Sequence, residues 1–285
     1  MQDRVATLQE AGDPNEALHA ATAMIDKCQQ MLGPDLDTID AFATALELRT
    51  QILLKLGRNE ESAEDAKQAI DQLDNRPDRL AQMGRLHAVL GAAYDAQARP
   101  DKATESWRKA VEYFEKHDPP LSLDVASMVN NLGFLAKANG DLDTAEDHFL
   151  KALEIMHANL GQKHEETAAV SNNLGAVYLA AGYLEQAREM HMMALETRRE
   201  LFGESHPDTA QSHNNLALAL LETGDRAWAR RHFEKALASF ESLGVAYADD
   251  LEAVASNYCD FLKAEGEENL SQVIAGRVRE LLETN

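Results

Sequence analysis

Small and bulky apolar positions recur along this chain with a stride of 42 residues. Leu90-Gly91, Leu132-Gly133, Leu174-Gly175 and Leu216-Ala217 are in register, and Tyr258-Cys259 continues the series. Each pair is followed in the same phase by a small residue: Ala103, Ala145, Ala187, Ala229 and Ser271. One helical turn later stand Trp107, Phe149, His191, Phe233 and Ala275, and beyond them Ala110, Ala152, Ala194, Ala236 and Val278. This i, i+3, i+4 spacing is that of helix faces, and no alternating Val/Ile run suggests a strand. Gly140, Gly182, Gly224 and Gly266 precede the small residues, where a turn would separate two helices. Each period therefore predicts a helical hairpin. Its small residues let the two helices approach closely, and the bulky residue fills the gap to the next layer. Asp101, Asp141, Asp143 and Asp225 lie near the turns as N-caps or first-turn acids of the second helices.

The polar positions carry a second regularity. Asn130-Asn131, Asn172-Asn173 and Asn214-Asn215 recur on the same stride, inside the first helices. Asn is disfavoured in helix interiors because its amide competes for backbone groups, so three pairs at one phase need an explanation. At about 100° per residue, Val129, Leu132, Gly133 and Ala136 share one side of their helix. Asn130, Asn131, Phe134 and Ala138 share the other. The equivalent polar stripes are Ala169, Asn172, Asn173, Ala176 and Ala180, then Gln211, Asn214, Asn215, Leu218 and Glu222. The third hairpin contributes Arg85, Ala88, Val89, Ala92 and Ala96, and the last Ala253, Ser256, Asn257, Asp260 and Ala264.

The period extends to about seven hairpins: 1–33, 34–76, 78–118, 119–161, 162–203, 204–244 and 245–285. The first two are looser, turning at Gly12-Asp13-Pro14 and Gly57-Arg58-Asn59, and Asn75-Arg76-Pro77-Asp78 separates them from the rest. This predicts a divergent part, 1–77, and a regular part, 78–285, closed by a capping helix from Asn269 to Glu283. The first hairpin has a short first helix.

These residues resemble the tetratricopeptide repeat, and most closely the longer repeat of kinesin light chains. That repeat ends in a Leu-Gly-x-x-His-Pro-Asp-x-Ala connection. Phe202-Gly203-Glu204-Ser205-His206-Pro207-Asp208-Thr209-Ala210 follows it, Leu160-Gly161-Gln162-Lys163-His164-Glu165-Glu166-Thr167-Ala168 varies it, and Leu32-Gly33-Pro34-Asp35 is a partial copy. The resemblance covers about 80–285. It implies an all-α, right-handed superhelical solenoid of antiparallel hairpins, with the first helices lining the concave side. It further implies a protein- or peptide-binding scaffold or adaptor. The groove candidates are then Arg85, Asn130, Asn131, Phe134, Asn172, Asn173, Asn214, Asn215, Leu218 and Asn257. Side-chain amides offer donors and an acceptor to an extended peptide backbone, and Phe134, Leu218 or Arg85 would add specificity. The competing reading is that the Asn pairs bond to each other or to a neighbouring helix and hold the repeat spacing. Chaperone-binding members grip a terminal carboxylate with Lys and Arg beside Asn. Here Arg85 is the only basic candidate near the stripes, which sets that function aside.

Composition narrows the partner. The net charge is −22, from 27 Lys and Arg against 49 Asp and Glu, which disfavours nucleic acid and anionic lipid. The stripes hold few of these charges, namely Arg85, Glu222 and Asp260, so net charge alone does not imply a basic partner. Apolar residues make up 45% and aromatic ones 6%, which suits thin Ala/Leu layers better than one aromatic core. Cys28 and Cys259 are far apart and in no CxxC pattern, as expected without a disulfide framework. No apolar run has the length of a membrane span, and Met1-Gln2-Asp3-Arg4 begins no apolar signal segment, so a cytoplasmic location is expected.

Catalysis and cofactors are not expected. His191 takes the interhelix slot of Trp107, Phe149 and Phe233, while His87 and His213 take core-facing slots. His164 and His206 belong to the connections. No HExxH, CxxC, phosphate-binding loop or catalytic constellation is present, so no metal or other cofactor is expected. Two alternatives to the adaptor remain: a regulatory receptor whose superhelix changes when a peptide or small effector binds, and a scaffold that self-assembles through its repeat ends.

Overall fold

A computed structural model describes residues 5, 7–8, 12–33, 35–74 and 76–283. Met1 to Arg4, Pro34 and Asn75, and most of the expected short first helix, lie outside the described residues. The chain is all-α, built of consecutive helix pairs, with no strand among the described residues. In chain order the helices are α1 (Pro14–Met31), α2 (Leu36–Lys55), α3 (Asn59–Gln72), α4 (Leu80–Ala96), α5 (Pro100–Lys116), α6 (Ser122–Ala138) and α7 (Leu142–Leu160). There follow α8 (Glu165–Ala181), α9 (Leu184–Phe202), α10 (Pro207–Glu222), α11 (Arg226–Leu243), α12 (Ala248–Ala264) and α13 (Glu268–Glu283). Two short 3₁₀ turns, Pro77–Arg79 and Gly244–Tyr247, lead into α4 and α12. The contacts divide the chain into two compact units, 1–135 and 136–285. This division reflects compactness, whereas the boundary near residue 77 marks a change in repeat regularity.

In the N-terminal unit, α2 packs on α1 and α3, and α4 on α3 and α5. Its core runs through Ala17, Ile52 and Leu53, then Phe42, Leu46 and Leu86, then Leu90, Tyr94 and Trp107. Two approaches are equally tight, Gly84 against the Phe114 ring and Gly91 against Trp107. A Cβ built at Gly91 would lie 2.4 Å from the Trp107 ring, whose Nε1 donates to the Ala88 carbonyl at 3.1 Å. The two buried acids among the described residues of this unit are paired. Arg49 forks onto Asp65 at 2.5 and 2.6 Å, and Glu47 accepts from Gln82 and Arg85.

In the C-terminal unit, successive helices pack from α7 through α13. Leu216, Ala217, Phe233, Phe240, Tyr258 and Phe261 belong to its continuous core. The 42-residue slots behave alike: Phe149, His191 and Phe233 are fully buried, and so are the small residues Ala145, Ala187 and Ala229. The long connections are held from below. Buried Arg198 donates to the Asp208 carbonyl at 3.2 Å and to Ser212 Oγ at 2.9 Å, tying α9 to the start of α10. The connection histidines prove to be caps: His164 and His206 accept through Nδ1 from the backbone N–H of Glu166 and Asp208. Asp141 caps α7 by accepting from Thr144 N–H at 3.1 Å, and Asp143 and Asp101 are first-turn acids. Asp225 stands at the N-cap of α11 without a side-chain capping bond.

Each first helix ends in the same motif. Asp141, Tyr183 and Asp225 N–H groups bond back to the Ala136, Tyr178 and Leu220 carbonyls, with Gly140, Gly182 and Gly224 at positive φ. The chain places Ala98, at φ 54°, in the equivalent position after α4, where Arg99 N–H reaches the Tyr94 carbonyl. A Cβ is strained there, so Ala98→Gly should stabilise the N-terminal unit by about 0.5–1 kcal/mol, read as a raised denaturation midpoint at unchanged m-value.

Candidate functional site

The Asn-bearing faces of α8 and α10 enclose a pocket of about 440 Å³. It is lined by Ala176, Leu179 and Ala180 from α8, Asn215, Leu218 and Glu222 from α10, His191 from α9, and Lys137 from the last turn of α6. Five of these, Ala176, Ala180, Asn215, Leu218 and Glu222, belong to the stripes drawn from the helical period. Lys137 does not, and it corrects the expectation that Arg85 is the only basic side chain near them. Its amine is half-buried, has no ion-pair partner among the described residues, and is held below the usual lysine range by burial. The signal was present in the sequence: Lys137 is seven residues after Asn130, two helical turns along the same side.

Four of the amides are engaged with each other. Asn215 Nδ2 donates to Asn172 Oδ1 at 2.9 Å, and one repeat later Asn257 Nδ2 donates to Asn214 Oδ1 at 3.1 Å. The second Asn of one pair thus reaches the first Asn of the preceding pair. Asn172 Oδ1 also accepts from His191 Nδ1 at 3.1 Å. An amide oxygen only accepts, so His191 carries its proton on Nδ1. The ring reaches this face because Gly175 has no side chain; a Cβ there would stand 2.8 Å from His191 Cε1. His191 is therefore a packed histidine, as its slot implies, and also an anchor for the amide ladder.

The remaining candidates are placed as follows. Asn214 is buried, and Asn173 and Asn257 are half-buried on α8 and α12. In the N-terminal unit, Asn130 and Asn131 are half-buried on α6 and Phe134 is exposed. Arg85 is exposed but its Nε lies 2.6 Å from the buried Glu47 carboxylate, so its charge is already matched.

Burial holds His191 and His87 down to about 4. His87 stacks on Tyr113. His213 is buried between Glu204, at 3.1 Å from its Nε2, and His232, with the two Nδ1 atoms 2.7 Å apart. Glu204 accepts from His213 Nε2–H, so His213 Nδ1 accepts from His232 Nδ1–H, and both rings are neutral. This pairing was not legible from the period, because His232 precedes the bulky slot of Phe233 and resembles a surface position. Among the described residues no group of three His, Cys, Asp or Glu is arranged to hold a metal ion. Cys28 and Cys259 are both free thiols, and Cys259 donates to the Ser271 carbonyl.

The family model described as tetratricopeptide repeat matches residues 124–200 and 171–242. Residues 124–242 therefore carry tetratricopeptide-type repeats. Solved tetratricopeptide-type structures resemble it along most of its length. BtubC (BKLC) from P. vanneervenii is 24% identical with a TM-score of 0.67, covering 79% of this chain and 90% of that one. A kinesin light chain of nearly identical TPR-like repeats from Podosopora anserina is 21% identical with a TM-score of 0.57, covering 70% and 95%. The apo form of RapI is 15% identical with a TM-score of 0.70, covering 99% and 97%. None of the curated proteins compared matches the sequence. Tetratricopeptide repeats generally serve as protein–protein interaction scaffolds. No helix among the described residues is long and apolar enough to cross a membrane.

Two outcomes test the ladder. Asn172→Ala leaves the His191 Nδ1–H and the Asn215 amide without their acceptor, and should cost about 1–3 kcal/mol in chemical denaturation. A buried ring whose folded pKa lies below its unfolded value contributes full stability above the ordinary imidazole range. It loses that stability as pH falls from 6.5 toward 4, because only the unfolded chain takes up the proton. His191 should therefore contribute a slope of up to about 1.4 kcal/mol per pH unit in that window. His191→Phe, which installs the residue found at 149 and 233, should flatten the melting temperature against pH there relative to the parent.

Proposed function

We propose that the chain is a non-enzymatic adaptor that binds an extended peptide segment of another protein along the Asn-bearing faces of its first helices. On this reading those faces form the concave side of a tetratricopeptide groove. The observation that carries the reading is Lys137: a half-buried amine with no acidic partner among the described residues, beside an apolar floor of Ala176, Leu179 and Leu218. A half-buried, unpaired cation is costly to a folded chain and is matched when a guest brings a carboxylate. Asn173 and the outward edges of Asn172 and Asn215 would meet the guest's main chain, while Asn214 and Asn257 hold the repeat spacing. Within the N-terminal unit by itself, Asn130, Asn131, Phe134 and Arg85 are the corresponding candidates.

The receptor and end-to-end assembly alternatives use the same repeats; scattering and sedimentation with and without peptide separate them from a rigid monomeric adaptor.

Lys137→Met keeps the aliphatic stem and removes the charge. On an array of extended peptides with and without one Asp or Glu, it should weaken the carboxylate-bearing peptides about tenfold while leaving thermal stability unchanged or slightly raised. Equal binding by the parent and Lys137→Met across the whole array would remove this pocket from the binding surface.

A further inference from the structure

A second recess lies on the other side of the C-terminal unit, between the second helices α9 and α11. Two cavities of about 260 and 340 Å³ meet there and share Met192, Leu216, Trp228 and His232 as lining. Leu216 forms a buried floor, while Met192 and Trp228 are walls that remain 41% and 56% exposed. The indole, Met192 and the Leu216 floor together offer an apolar notch to a guest side chain.

The charge around it is the reverse of the chain's. Arg188, Arg199, Arg231 and Lys235 line it against Glu196 and Asp225. Arg231 stacks on the Trp228 ring at 5.0 Å, and Arg199 lines the same cavity from α9. Neither Arg199 nor Arg231 has an ion-pair partner among the described residues, whereas Lys235 is paired with Glu204 and Arg188 with Glu185 and Asp225. On the 42-residue stride, Arg231 occupies the position of Glu105, Asp147 and Glu189, and Trp228 that of Lys102, Thr144 and Gln186. One repeat has thus exchanged an acidic, polar outer face for an aromatic, basic one, in a chain of net charge −22.

We propose that this outer recess is a docking site for an acidic peptide segment bearing one aromatic or aliphatic anchor. The anchor enters between Trp228 and Met192 onto Leu216, and flanking carboxylates meet Arg199 and Arg231. Burying the anchor supplies the apolar gain, and each guanidinium offers a planar fork to a carboxylate. The chain's overall negative field opposes the approach of such a peptide at long range, so recognition depends on these short-range contacts. The site is separate from the pocket at Lys137 and does not rest on the adaptor reading.

The test uses the full chain and three fluorescein-labelled probes: an Asp/Glu-rich peptide with a single Phe, the same peptide with Ser for Phe, and a Lys-rich peptide with the Phe. Anisotropy gives the affinity, and tryptophan emission reports occupancy directly, because the only other tryptophan, Trp107, is buried. The acidic Phe peptide should bind best and shift the emission to the blue. The emission shift reads this recess and not the pocket at Lys137, because Trp228 lines only the former; reaching it should need at least about tenfold more peptide in Arg231→Glu, and the anisotropy affinity should fall in Trp228→Ala. Both altered residues are on the surface, and melting curves confirm that the variants fold. An equal emission shift with the Ser peptide, a larger one with the Lys-rich peptide, an unchanged shift in Arg231→Glu, or no shift at all would overturn the proposal. So would a dimer seen by sedimentation in the parent but not in Trp228→Ala, since a second copy would then occupy the recess.

Discussion

The hairpins depend on a close approach in which one helix gives up its side chain. At Gly91 the ring of Trp107 fills the space a Cβ would need, and at Gly175 the ring of His191 does the same. Interiors packed to crystal-like density leave no slack at such a point, so the pairing of small with bulky residue sets the distance between the two helices. The 42-residue stride in turn fixes where each following helix lands. Buried Phe149 and Phe233 occupy the same slot on α7 and α11, and Ala217 stands in for glycine opposite Phe233.

That close approach has a chemical consequence at His191. Where Trp107 and the two phenylalanines simply fill space or bond to a local carbonyl, the imidazole passes a proton donor through the gap left by Gly175 and holds Asn172 from beneath. Asn172 in turn accepts from Asn215, which links α8, α9 and α10 through one amide oxygen. Each bond is worth about 1 kcal/mol net, yet breaking the ladder exposes several buried polar groups at once. The Asn residues that cost helix propensity locally are thus offset by bonds between repeats.

The two faces of the C-terminal unit differ in kind. The face that carries Lys137, Asn215 and Leu218 is nearly free of acid apart from Glu222. The opposite recess sets Trp228 and Arg231 where other repeats carry polar and acidic side chains. A net charge averages over both and describes neither. Repeat scaffolds permit this because each outer position packs against little, so one repeat can change its surface without disturbing the core.

The one-dimensional sequence determined the helix pairs, their turns and the faces they bury. Period, glycine position and residue size are local properties that a 42-residue stride displays directly. The pocket-lining stripe from Ala176 to Glu222 was legible for the same reason, and Lys137 lay two turns from Asn130 for a wider arc to include. Tertiary structure alone decided which atoms meet. Whether Asn172 bonds to Asn215, and whether His191 reaches through Gly175, depends on offsets of an ångström between helices, which helical phase does not encode. The same holds for Ala98, which adopts a positive φ usually reserved for glycine, and for His232, whose pairing with His213 requires two helices to bring them together. A periodic sequence states which side chains share a face; only the packed helices fix the distances at which hydrogen bonds and unpaired charges acquire their meaning.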